Sequence, residues 1–113
     1  MKYVMLLTRV DADWEALNDA ERDKETINRW WATHAQAGHI VGGQELHPAR
    51  TATTIRWESE TPIIVDGPFM EAKETIGGFG ILDVPDLDAA IAIAQTWPAR
   101  SHKVEIRPVV DNS

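Results

Sequence analysis

With 113 residues, the chain has the length of one domain and enough apolar surface for one core. A formal net charge of −7 and a pI near 4.9 argue against nucleic acid and anionic membranes as partners, since neither is attracted to an acidic surface. The lack of cysteine excludes disulfides, thiolate catalysis and zinc–thiolate sites.

Residues 2 to 8 read as a strand of long and β-branched apolar side chains. Arg9 and Asp11 interrupt this run, which is too short for a signal-peptide core, and no other stretch approaches membrane-spanning length. A cytoplasmic protein is the expectation. A helix is predicted from about Asp19 to Ala37, with Asn18 as N-cap, Glu21 at capping-box spacing and Gly38 as C-cap. Ala20, Ile27, Trp30, Trp31 and His34 fall on one face of it. Residues 39 to 47 and 51 to 57 look like strands around the Gly42-Gly43 and His47-Pro48 breaks, and Pro62 to Val65 like a short one. Gly77 to Val84 is the next strand. Asp86 then caps a second helix running to about Trp97, with Leu87, Ala90, Ile91, Ala94 and Trp97 as its apolar stripe. Lys103 to Arg107 closes the chain as a strand, and 111–113 reads as a disordered tail.

This order predicts an α+β fold, a ferredoxin-like split βαβ with an added hairpin strand, in a single domain over residues 1–110. Alternation adds a second expectation. Tyr3, Met5 and Leu7 face one way and Val4 and Leu6 the other, while Phe79 and Ile81 oppose Leu82 and Val84. Both central strands are thus apolar on both faces, yet a ferredoxin-like sheet carries helices on one face only. The short chain has no third layer, so the expected cover is the same face of a second copy: a homodimer forming a dimeric α+β barrel.

The run Asp66-Gly67-Pro68-Phe69-Met70-Glu71-Ala72-Lys73-Glu74-Thr75-Ile76-Gly77-Gly78-Phe79 is the densest in chemistry. Pro68 fixes the turn and biases Gly67 away from the α region. The double glycine in a strand points to a bulge or a close backbone approach. This run resembles the signature of the DGPF proteins, a branch of the YCII-related family, and the likeness extends over most of the chain. The resemblance implies the same dimeric barrel. It also implies an acid–base pair of a buried His and Asp in some relatives, although no histidine here can be matched to that role. A further implication is a regulatory setting, because relatives with this signature often occur beside extracytoplasmic-function sigma factors.

Asp66, at a strand end beside a rigid turn, is the candidate catalytic acid or base, against the plainer reading of a turn cap. Glu71 and Lys73 are candidate ligand-binding residues on a polar rim, where a salt-bridged surface patch is the alternative. Trp57 at a strand end and His34 on a helix face are candidate pocket-lining residues; Phe69 is expected to anchor the turn in the core. None of the four histidines shows metal-ligand spacing, and no phosphate loop, nucleophile elbow or dinucleotide fingerprint occurs, so no metal or cofactor is expected. Three functions follow: a small-molecule-binding dimer with cofactor-independent acid–base chemistry near the Asp-Gly-Pro-Phe loop, a non-catalytic accessory protein linked to such a sigma factor, or a bare interaction scaffold.

Overall fold

The structure, a computed structural model, describes residues 1–68 and 72–111. Strand β1 (Lys2–Val10) is followed by helices α1 (Asp11–Ala16), α2 (Asp19–Arg22) and α3 (Lys24–Gln36). Strand β2 (Ile40–Glu45), a 3-10 turn (Ala49–Thr51) and the hairpin β3 (Thr53–Glu58)–β4 (Thr61–Asp66) come next, then β5 (Glu74–Asp83), α4 (Leu87–Ala94) and β6 (Lys103–Pro108). The main sheet has the order β2-β5-β1-β6 with antiparallel neighbours, and β3–β4 forms a separate two-stranded sheet. Without the hairpin, this is a split βαβ order, so the chain is an α+β protein compatible with a ferredoxin-like fold.

The predicted first helix begins where its chemistry requires. The Glu21 backbone N–H donates to Asn18 Oδ1 at 2.8 Å and the Asn18 N–H donates to Glu21 Oε1 at 3.0 Å, a reciprocal capping box. It does not run unbroken to Ala37. Asp23 adopts a left-handed conformation (φ 45°, ψ 56°), ends α2, and starts α3 by accepting from Thr26 Oγ1 at 2.6 Å. A short polar side chain that bonds locally is one of the few that tolerate this conformation. The break turns α2 away, so Ala20 is exposed instead of sharing the face of Trp30. Gly38, at φ 79°, ends α3 as predicted. Helix α1 lies where no helix was expected, because six residues with acids in the first turn give little periodicity to read.

Asp86 caps α4 as expected, accepting from the Ala89 N–H at 2.9 Å. The stripe differs: Ala90, Ile93 and Ala94 are buried while Leu87 and Ile91 are exposed, and the helix ends at Ala94, three residues short of Trp97. Trp97 is buried all the same.

Cross-strand register makes the two faces explicit. On the inward face lie the rows Ile40–Leu82–Tyr3–Pro108 and Gly43–Gly80–Met5–Ile106. On the outward face lie Gly42–Ile81–Val4–Arg107 and Gln44–Phe79–Leu6–Glu105. The inward rows join Trp30, Ile93, Ala94 and Trp97 in the core, where Met5 and Leu82 are fully buried. Val4, Leu6, Phe79 and Ile81 on the outward face are only half-buried. The predicted two-sided apolarity is therefore present within one chain. No helix among the described residues is long and apolar enough to cross a membrane.

Candidate functional site

The inward face ends in glycine. Gly43 and Gly80 leave room for the Trp31 ring, which a Cβ at those positions would meet at 3.0 and 3.2 Å. Gly77 leaves room for Arg9: a Cβ there would stand 2.5 Å from Nε and 2.7 Å from Cζ. The register of β5 against β1 shifts between Leu7 and Thr8, so Gly77 is the extra residue of a bulge. The double glycine thus makes both the bulge and the close approach, and the approaching group is a guanidinium.

Arg9 continues the inward series Tyr3, Met5, Leu7, and its side chain is only 4% exposed. Burying a charge is costly unless it is paired and hydrogen-bonded. Arg9 Nε–H donates to Asp11 Oδ1 at 3.1 Å and Nη2–H donates to the Leu46 carbonyl at 3.1 Å. Nη1 is 3.8 Å from Glu45 Oε1. Asp11 is itself held, its Oδ2 accepting from the Ala49 N–H at 2.9 Å and from Thr75 Oγ1 at 3.0 Å. Burial pushes the Asp11 pKa up, but the bonds from Ala49, Arg9 and Thr75 outweigh it and leave the carboxyl below its ordinary value.

Beside this ion pair, between sheet and helices, lies a cavity of about 340 Å³. Its walls are the indoles of Trp14 from α1, Trp31 from α3 and Trp97 after α4; Gly77 and Gly78 form part of the floor. Arg9 Cζ sits 5.3 Å from the centroid of the Trp14 ring, in cation–π range. Lys24 and Glu45 join at the mouth, with Lys24 Nζ 3.2 Å from both carboxylate oxygens.

His102, just before β6, also lines the cavity. Trp97 Nε1–H donates to His102 Nδ1 at 3.4 Å, and the Trp14 and His102 rings lie 4.9 Å apart. Burial, reinforced by the Arg9 charge, lowers the His102 pKa, so its neutral form is favoured with the proton on Nε2. The set can hold an anionic group and offer an imidazole for proton transfer. It includes no serine, threonine or cysteine nucleophile.

The residues singled out in the sequence lie elsewhere. Asp66 ends β4, exposed, paired in register with Thr53. The adjoining turn is tied back by the Gly67 N–H, which donates to the Ala52 carbonyl at 2.7 Å, and by Thr54 Oγ1, which donates to the Gly67 carbonyl at 2.7 Å. Lys73 is exposed ahead of β5, and Trp57 stands 65% exposed on the hairpin. Glu71 and Phe69 fall outside the described residues. His34 is half-buried against Trp30 (centroids 4.6 Å apart), with its Nδ1 3.3 Å from that of His39. Burial and then His39 lower its pKa. None of Asp66, Lys73, Trp57 and His34 lines the Arg9 cavity.

The family model for the YCII-related domain matches residues 1–113. The chain belongs to the YCII-related family. It is also similar to an uncharacterised protein of Rhizobium meliloti (strain 1021), 32% identical over 88 residues that cover 76% of this chain and 68% of the relative. In this YCII-related chain, sequence reasoning missed Arg9, Trp14 and His102. The available signal was a charge, Arg9, at an inward position of an otherwise apolar strand alternation. Among the described residues no group of three or more His, Asp or Glu comes together as a metal site.

Proposed function

We propose that this YCII-related protein, as a DGPF-type homodimer of single-domain subunits, binds a small organic molecule in the cavity beneath Trp14, Trp31 and Trp97. Arg9 carries the reading. A guanidinium on the inward face of a sheet is retained, at the cost of desolvation, beside an empty volume of ligand size. Glycine at 77 and the bonds from Arg9 to Asp11 and Leu46 hold it there. His102, neutral and lining the same cavity, is the proposed proton-transfer group in a cofactor-independent reaction.

The dimer is supported by the outward rows of the sheet. The subunit measures 45 × 44 × 19 Å with a radius of gyration of 16.0 Å, against about 13 Å for a typical domain of ~100 residues. A plate so thin has one layer of helices on one face, and a second copy is the fitting cover for the other. The hairpin bears Ile55, Trp57 and Ile64, each more than half exposed. They favour either an embrace of the second copy or the accessory role, in which the hairpin docks another protein such as a sigma factor.

Native mass spectrometry of gently purified protein, followed by denaturing analysis of any released molecule, tests the reading. The expected species is a dimer with a stoichiometric adduct, retained in Asp66→Asn and lost in Asn28→Trp, which fills the cavity mouth from an exposed position on α3. An adduct kept by Asn28→Trp and lost by Asp66→Asn would return the site to the signature loop, and a monomer would overturn the dimer. Loss of the dimer in Trp57→Ser with Ile64→Ser assigns the hairpin to self-association; an intact dimer leaves it for the accessory role.

A further inference from the structure

Glu45 occupies an unusual place in this cavity. It ends β2 in register with Gly78, and its carboxylate stands between Lys24 Nζ, at 3.2 Å, and Arg9 Nη1, at 3.8 Å. One of those cations is almost fully buried; Lys24 and Glu45 are about half exposed, with side chains at 54% and 53%. The contact to Arg9 is beyond hydrogen-bonding reach, and an exposed lysine pair contributes little. Glu45, tethered to the end of β2 and shared with Lys24, does not close on the guanidinium. A free carboxylate in the cavity carries no such tether and can approach Nη1 to about 2.8 Å in a charge-assisted bond.

We infer that the cavity takes a planar aromatic or conjugated monocarboxylate, whose carboxylate replaces that of Glu45 between Arg9 and Lys24; this rests on the binding reading above. Nε and Nη2 of Arg9 are committed to Asp11 and Leu46, which leaves the Nη1 edge as the donor turned toward the mouth. Charge selects a monoanion. Arg9 and Lys24 are balanced by Asp11 and Glu45, and exchanging Glu45 for one ligand carboxylate preserves that balance, whereas a phosphate dianion does not. A cationic ligand would face two cations. Shape selects a flat molecule, since three indoles wall the space and glycine backbone lines its floor, offering faces to stack on. The volume of about 340 Å³ lies at the small end of ligand pockets and suits one or two rings.

Isothermal titration calorimetry on the intact protein with cinnamate and its neutral isostere cinnamamide tests this. Cinnamate is expected to bind at least about tenfold more tightly, the difference one charge-assisted contact makes. Lys24→Met weakens cinnamate several-fold and leaves cinnamamide unchanged. Glu45→Gln tightens cinnamate by removing its competitor, an effect that a structural role for Glu45 would not produce. Both positions are exposed, so both variants are expected to fold. Equal affinity for the two probes, or weaker cinnamate binding by Glu45→Gln, overturns the carboxylate assignment. Heat from neither probe overturns the ligand class as well, while the native mass spectrum separately judges whether the cavity binds anything.

Discussion

Arg9 in the cavity and its partner Asp11 are held by Leu46, Ala49 and Thr75, at separations of 37, 38 and 64 positions, whereas the Thr54 bond that ties down the Asp66 turn spans 13. The Arg9–Asp11 pair is largely buried and oriented from several elements; the charges of the hairpin stand in water. A local motif can be dense in charge and glycine because it makes a turn. A site needs groups that converge from distant parts of the chain, and only those have a desolvated, fixed geometry.

Substitutions that should be costly on the cavity side and mild on the hairpin test this contrast. The largest expected effect is Met5→Ala, which empties a fully buried position and should lower stability by about 2–5 kcal/mol. Trp57→Ala, on the exposed hairpin, should change subunit stability by less than about 0.5 kcal/mol. Urea unfolding measures both, and equal losses would mean that the hairpin is as tightly packed as the sheet. Next comes Gly77→Ala. Its methyl would run into the pinned Arg9 side chain, a cost of about 1–3 kcal/mol with a matching loss of cinnamate binding. Gly67→Ala meets no atom within 4 Å and pays only for φ +104°, about 1 kcal/mol without effect on binding.

The smallest effect is that of pH. Burial holds His102 and His34 below the ordinary imidazole value of 6.5, with Arg9 and His39 adding to it respectively. As pH falls below about 6.5 the unfolded chain takes up protons that the folded chain resists, so stability present at neutral pH declines through that window. A lower Tm at pH 5 than at pH 7.5 is expected, with a smaller drop in His102→Gln. Asp11, depressed below 3.8, titrates under this range and does not interfere. An identical drop in His102→Gln would exclude His102 as a source.

Much of the architecture was legible. The capping box at Asn18 and Glu21, the Asp86 cap, the Gly38 terminator and the alternation of β1 and β5 all depend on contacts within a few residues, and all are present. The misses follow the same logic. Asp23 breaks the first helix through a single left-handed residue, which no periodicity announces. Leu87 and Ile91 lie outside because α4 rotates to set Ile93 against the sheet, a choice made by packing in a helix apolar on several sides. Arg9 looked like the end of an apolar run; the bulge and close approach at Gly77-Gly78 were expected, but not that Arg9 is the group that approaches.

By itself, the sequence determined most of the elements, their order and the two apolar faces of the central strands, because capping, turn chemistry and alternation act over a few residues. Only the tertiary structure decided that Arg9 crosses Gly77, that three indoles and His102 meet around it, and that Glu45 and Lys24 stand at its mouth. Those contacts join β1, α1, α3, β2, β5 and the segment between α4 and β6. Their energies depend on burial and mutual orientation, which exist only once the sheet and helices have packed.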